Sequence, residues 1–452
     1  MKILIIDIYQ NDSWRLVKDT AGGYGTGNDF GKGIVSGLLN KFVSKMIAMP
    51  PMYAMYIFSV LERKKIEVEY TRKLEQEKIQ SADYIVMISS IIAHETEVEA
   101  IKMIIEKYNK KIFVTGIFAN TLKENYQLNN TYVVPGEPEF FFDALEPNKE
   151  TYNNFFGENK KLFHHKLSSD VGTLPYPNWE YYTKKYPLKN NFLDFNSKIA
   201  VPILATRGCP YSCFNYCTYP LQQGRKVRSR SAEDIIEEIK HWKTTLNTNK
   251  FIFRDPVFSI NRKFTVELCK KIIENKLDIV FLIETHLKNL DNELLDLLYE
   301  AGLRIVYVGI ESSSDVILNS IQRMTVTNDE QYEIIKNCKE RNIIVKSMFM
   351  IGSPEDTEKT IKDTIEYATI LPNQLVQFSV FTPYPGTPIY KDYSKKITVK
   401  KYEEFNQYNL VYKHENLDQN KLNKLKRYAY WKCYLNLSNF KVKIKSLFSI
   451  FI

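Results

Sequence analysis

The chain has 452 residues, 44% hydrophobic and 25% charged, a globular composition that excludes disorder or collagen-like repeats and allows two or three domains. Its 62 Lys and Arg against 53 Asp and Glu give a net charge of +9 with no arginine-rich stripe, so nucleic acid is not an expected partner. Six cysteines are too sparse for a disulfide framework, the start lacks a secretory layout, and no apolar run reaches the ~18 residues of a spanning helix; a reducing cytoplasm is expected.

Residues 1–145 read as alternating strands and helices. Lys2–Asp7 is a short apolar run, as a buried parallel strand shows. Further strands are predicted at Ile66–Tyr70, Asp83–Ser89, Lys111–Gly116 and Tyr132–Val134, with helices such as Tyr53–Arg63 and Glu95–Tyr108. The alternation predicts an α/β fold with a doubly wound, Rossmann-like parallel sheet. Its ligands would sit beyond the carboxyl ends of the strands. After the first strand, residues 19–31 form a glycine-rich loop, Asp19-Thr20-Ala21-Gly22-Gly23-Tyr24-Gly25-Thr26-Gly27-Asn28-Asp29-Phe30-Gly31. It lacks the frame of a phosphate loop, but its glycines suggest close backbone approach to a ligand or neighbour.

Residues 146–195 are polar and proline-punctuated, and read as a linker. Residues 196–392 resume the alternation, with strands at Ile199–Thr206, Phe251–Arg254, Ile279–Glu284, Ile305–Ile310, Ile343–Ile351 and Leu375–Thr382. Amphipathic helices fall between, at Ala232–Thr244, Arg262–Asn275, Asn292–Ala301 and Glu358–Ile370. This predicts a partial (β/α)6 barrel of TIM type, with chemistry at the C-terminal strand ends. Residues 393–452 read as a helical C-terminal extension ending in a basic-apolar tail, Phe440–Ile452. The tail either docks back onto the protein or makes peripheral contact with a membrane or a lipid-linked substrate.

The most specific signal is Arg207-Gly208-Cys209-Pro210-Tyr211-Ser212-Cys213-Phe214-Asn215-Tyr216-Cys217-Thr218-Tyr219-Pro220, directly after the first barrel strand. Three thiolates on one short loop can each take an iron of an iron–sulfur cube, leaving the fourth iron open. A structural zinc would want a fourth ligand, and no further cysteine or histidine lies within twenty residues. Cys269, Cys338 and Cys433 are isolated in predicted helices and read as buried apolar residues.

With these residues in view, the chain resembles the radical S-adenosylmethionine (SAM) enzymes that carry an N-terminal cobalamin-binding-type domain. The likeness rests on the cysteine loop, Tyr219-Pro220 with Gly224-Arg225-Lys226-Val227-Arg228, Gly309-Ile310-Glu311-Ser312, Gly352-Ser353-Pro354-Glu355-Asp356-Thr357 and Tyr384-Pro385-Gly386-Thr387-Pro388. In the N-terminal part it rests on Pro50-Pro51-Met52-Tyr53, Gly116 and Val134-Pro135-Gly136-Glu137.

The resemblance implies a [4Fe-4S] cluster held by Cys209, Cys213 and Cys217. SAM would chelate the open iron and be cleaved reductively to a 5′-deoxyadenosyl radical. Tyr216 would pack near the adenine, Glu284 would meet the ribose hydroxyls, and Glu311 and Ser312 would lie near the methionine part. Glu284 could instead pair with a neighbouring lysine, and Ser312 could cap the following helix. The family also implies cobalamin as a further cofactor and a flavodoxin- or ferredoxin-type electron donor.

Three departures from the family pattern stand out. The second cysteine gap holds three residues where two are usual, and the additional residue is expected to bulge. His286 stands where relatives carry an arginine, and reads as a surface residue. No histidine precedes His94, and the first loop offers Asp12-Ser13-Trp14 where many cobalamin domains offer an axial histidine.

The function implied is a cobalamin-dependent C-methyltransferase acting on an unactivated carbon. Its substrate would be a small molecule or a lipid or glycan precursor. Cyclisation, coupling or rearrangement without methylation is the alternative, and a non-catalytic binding protein a further one. A methylthiotransferase would need cysteines in the N-terminal domain, and none precedes Cys209.

Overall fold

Apolar residues in the first sheet alternate between two cores. In the computed structural model, which describes residues 1–9, 18–26, 50–157, 167–168, 170–186 and 199–435, strand β1 (Lys2–Ile6) turns Ile3 and Ile5 to one core and Leu4 and Ile6 to the other. The Phe440–Ile452 tail, Asp12-Ser13-Trp14 and residues 27–31 of the glycine-rich loop lie outside the described residues.

Four parallel strands join β1: β2 (Glu67–Thr71), β3 (Tyr84–Ile88), β4 (Lys111–Thr115) and β5 (Thr131–Val133). Their spatial order, β2-β1-β3-β4-β5, reverses direction between β1 and β3. A doubly wound sheet opens its ligand crevice at such a switch point.

The second sheet is also wholly parallel. Its strands run β6 (Ala200–Ile203), β9 (Lys250–Phe253), β10 (Val280–Thr285), β11 (Leu303–Glu311), β12 (Ile344–Ile351) and β13 (Leu375–Val380), each beside its successor. Between β6 and β9, β7 (Thr206–Arg207) and β8 (Arg228–Ser229) form a small antiparallel pair. This is the predicted partial barrel followed by its crossover helices.

Burial alternates along the barrel strands. Phe281 and Ile283 of β10, Val306 and Val308 of β11, and Val345 and Phe349 of β12 face the shared core. Between them Leu282, Glu284, Tyr307, Lys346 and Met348 are half-buried and line the lumen. One face of the first sheet belongs to the same core as the barrel's outer surface, so the two sheets share packing.

The predicted linker contributes to that packing. Within it, helix Trp179–Lys185 buries Trp179 and Tyr182, and Tyr152 and Phe155 are buried too. The C-terminal extension is less helical than its charge pattern suggested. An irregular stretch, 397–412, returns to helix His94–Tyr108 beside the first sheet, where Glu403 accepts from Thr96 N–H at 3.2 Å and Oγ1–H at 3.1 Å. Helix Gln419–Tyr430 and the helical turn Trp431–Leu435 then cover the free edge at β13: Val376 N–H donates to Tyr434 Oη and Phe378 N–H to Tyr430 Oη. Edge amides are thereby closed to other strands.

Candidate functional site

The cysteine loop is closed at its base by the β7–β8 pair, with Arg207 opposite Arg228. Gly208 has φ +95, and a Cβ there would stand 2.2 Å from the Lys226 carbonyl oxygen, so only glycine fits. The Cys209 N–H donates to Gly224 O at 3.1 Å, fixing the first thiol. Cys209 and Cys213 are buried and Cys217 is half-buried, all three as free thiols.

The longer second gap does not bulge. The Cys217 N–H donates to Cys213 O at 2.9 Å and the Tyr216 N–H to the same oxygen at 3.1 Å. One helical turn thus absorbs the additional residue, and i,i+4 spacing sets Cys213 and Cys217 on one face. A hydrogen bond from Cys217, aided by Arg323, lowers the Cys213 thiol to about 7 despite its burial. Burial raises Cys209 to about 11.

Arg323, which no sequence motif marks, completes this corner. Its guanidinium donates to Gly309 O at 2.7 Å and lies 3.9 Å from Glu311 Oε1, beside Cys213. Glu311 in turn accepts from Tyr216 Oη at 3.3 Å. Glu311 has φ +66, where the β11–β12 register shifts. A non-glycine residue held in the left-handed region stores strain, a frequent mark of a functional position.

Tyr216, Glu311 and the cysteines therefore meet at the mouth of the barrel. Ser312 does not join them. Its hydroxyl lies 3.1 Å from Thr364 Oγ1 and accepts from Ser314 N–H, tying the end of β11 to helix Glu358–Ile370.

Glu284 lies within the lumen. It is in register with Tyr307, which is in register with Lys346. Burial raises its carboxyl, against the pull of Arg254 and Lys346. His286, expected at the surface, is buried at 5% exposure because the Cys loop covers it. Its Nδ1 accepts from Lys288 N–H at 3.1 Å, which leaves Nε2–H to donate to Met324 O at 2.8 Å. Tyr211 of the cysteine loop meets its ring edge-on at 5.2 Å.

A cavity opens at the carboxyl edge of the first sheet, towards the barrel. Lys18, Asp19, Tyr53, Gly116, Glu137 and Gln222 are among its lining residues. Gly116 has φ +123, and a Cβ would stand 2.5 Å from Ser89 O. Lys18 spans the switch point: its ammonium is 3.2 Å from Asp7, 2.9 Å from Glu97 and 2.8 Å from Ile88 O. His94 is not among the lining residues; its Nδ1 lies 3.0 Å from Tyr126 Oη.

Glu137 joins this cavity to the cysteine loop. Arg207 donates to Glu137 at 2.7 Å and also to Glu139, while Arg228 donates to Glu137 at 2.8 Å. All four side chains are buried. Burial would raise Glu137, yet the two guanidiniums hold its carboxyl below the usual range.

Residues 203–368 match the family model of the Radical SAM superfamily. That stretch is a radical SAM domain. Among curated relatives, the chain is 28% identical over 331 residues to an uncharacterized methyltransferase of Pyrococcus horikoshii, covering 70% of this chain and 69% of that one. Among solved structures it resembles the radical SAM methyltransferase TsrM of Kitasatospora setae, solved with cobalamin and a [4Fe-4S] cluster. That likeness has a TM-score of 0.59 at 15% identity, over 87% of this chain and 78% of that one.

A likeness to the cobalamin-dependent SAM radical enzyme OxsB, solved with aqua-cobalamin and SAM, has a TM-score of 0.66 at 11% identity. It covers 95% of this chain and 66% of OxsB. At these identities the two structures establish the fold, including the N-terminal sheet.

A radical SAM domain implies a [4Fe-4S] cluster and SAM, and the cysteine loop fits the cluster. Among the described residues no three His, Cys, Asp or Glu side chains converge on a single-ion site. A cube asks for something different: one thiolate on each of three irons. The loop offers three free thiols, with the Arg323 guanidinium beside them to offset thiolate charge.

Proposed function

We propose that the protein is a cobalamin-dependent radical SAM methyltransferase acting on an unactivated carbon of a small-molecule substrate. The observation that carries this reading is the cavity at the carboxyl edge of the first sheet, which Glu137 and Arg207 connect to the cysteine loop. Its chemistry suits cobalamin: glycine backbone lines it, and the buried Gln222 Oε1 has no hydrogen-bond partner among the described residues. That oxygen is free to accept from the amide side chains of a corrin. The methyltransferase name of the relative and the cobalamin of the two fold neighbours support the same reading.

When bound, the cluster supplies an electron to SAM, and cobalamin supplies a methyl group. Cys209, Cys213 and Cys217 would hold three irons, leaving the fourth to SAM. Arg323 balances thiolate charge and braces Glu311. Tyr216 and Glu311 would border SAM at the barrel mouth, and Glu284 would accept from its ribose hydroxyls. Ser312 holds the strand end in place through Thr364. The Phe and Ile side chains outside the lumen seal the wall, which keeps water from a reactive radical. A flavodoxin- or ferredoxin-type protein would deliver the electron.

The test is anaerobic incubation of reconstituted protein with methyl-deuterated SAM and dithionite, read by mass spectrometry. Formation of both 5′-deoxyadenosine and S-adenosylhomocysteine is expected. Deoxyadenosine alone, with cobalamin loaded, would move the reading to cyclisation, coupling or rearrangement.

A further inference from the structure

Three lumen-facing side chains share one register layer, Glu284 on β10, Tyr307 on β11 and Lys346 on β12, with Arg254 just after β9 on their flank. Lys346 lies with its ammonium 4.6 Å from the Tyr307 ring centroid. Among the described residues neither Lys346 nor Glu284 has an ion-pair partner within 4.0 Å, although each feels the other's charge. An ammonium on the wall of a desolvated lumen is costly unless something uses its charge.

We propose that Lys346 is a positioning residue of the SAM site, a counter-charge that, opposite Arg254, holds the Glu284 carboxylate toward the ribose hydroxyls. This rests on the assignment of Glu284 to the ribose. The gap between the two side chains supports it: a carboxylate locked in a salt bridge would have its lone pairs occupied, whereas a more distant ammonium stabilises its charge and leaves them open.

The surroundings of Lys346 leave few other partners. From β10 it faces Glu284, from β11 Tyr307, and from β13 its register neighbour is Leu375, which carries no charge. Arg254 acts on Glu284 from the opposite flank, and Glu311 and Arg323 act on it from the mouth. Burial lowers the Lys346 ammonium to about 8, against the pull of Glu284. Its charge is therefore present below that pH and lost above it.

The test is the affinity of the reconstituted holoenzyme for 5′-deoxyadenosine, a ligand with the ribose hydroxyls but no amino-acid group, measured from about pH 6 to 10. The native protein is expected to weaken as pH rises through about 8. Lys346→Met is expected to bind about tenfold more weakly at neutral pH, the scale of one charge-assisted hydrogen bond, and to lose that pH limb. Lys346→Arg, which keeps the charge, is expected to restore most of the affinity and hold it to higher pH.

Removing the 2′-hydroxyl from the ligand should shrink the Lys346→Met effect, which a merely structural role would not do. Glu284→Gln separates the two layers of the argument. If it binds weakly while Lys346→Met binds normally, the role of Lys346 is overturned alone. If Glu284→Gln binds normally, the ribose assignment falls and the inference with it.

Discussion

Arg323 stands where three demands meet: the thiols of the cysteine loop, the Glu311 carboxylate and the Gly309 carbonyl. It was invisible in the sequence because an arginine in a loop after a short helix carries no periodicity and no motif. The cysteines were legible because three thiols in nine residues is a pattern that packing alone does not produce. His286 was misread for a related reason. A histidine after a strand end looks exposed until the cysteine loop is folded over it, and its two nitrogens are then used by Lys288 and Met324.

That burial has a consequence for pH. Desolvation, then Arg323, lowers the His286 ring from 6.5 to about 4, so the folded protein binds its proton less tightly than the unfolded chain. The contribution is complete above about 6.5 and is lost as pH falls towards 4, a total of about 3 kcal/mol. Denaturant unfolding at a series of pH values should show this slope in the native protein. His286→Gln should flatten it.

At the scale of the element, β11 does more than span the barrel. Its last residue turns into the left-handed region, which swings the Glu311 carboxylate to Tyr216 while Ser312 falls on the other side toward Thr364. The Gly-Ile-Glu-Ser motif located this strand end, but only the register shift after Gly309 shows that its two polar residues part company. Glu311→Gln and Glu311→Gly both remove the charge, and only glycine removes the strain. The glycine variant should be more stable than the glutamine variant by about 1 kcal/mol, measured by thermal unfolding. Both should bind SAM weakly. Equal stability would mean that Glu311 stores no strain.

The four predicted barrel helices lie within a residue of their bounds, because each carries a clean apolar stripe over ten or more residues, whereas helix Asn328–Glu340 after β11 was not among those predicted. Asn292–Ala301 and Glu358–Ile370 coincide with their predicted bounds. The two-residue strands β7 and β8 were not readable, since two residues hold no period.

At the scale of the whole molecule, the two sheets are joined by a shared core and by one buried ionic network. Arg207, Arg228, Glu137 and Glu139 link the carboxyl edge of the first sheet to the base of the cysteine loop. The architecture of each half followed from alternation of strands and helices, but this link did not, because its partners are about seventy residues or more apart. Arg207→Met would leave two buried carboxylates short of their counter-charge. The expected cost is about 3–5 kcal/mol in denaturant unfolding, with a reduced iron content after reconstitution. A loss below about 1 kcal/mol would show that the network tolerates the change.

The cysteine loop and the cavity at the carboxyl edge of the first sheet are joined within one chain by the Glu137–Arg207 pair. The most direct measurement is anaerobic reconstitution with iron, sulfide and cobalamin, followed by quantification of both cofactors on the same sample beside a Cys213→Ser control. One [4Fe-4S] cluster and one cobalamin per chain are expected, with the cluster, and not the cobalamin, lost in the control. A native protein that holds the cluster and releases all its cobalamin would contradict the cobalamin reading, and one that holds no cluster would contradict the assignment of the cysteines.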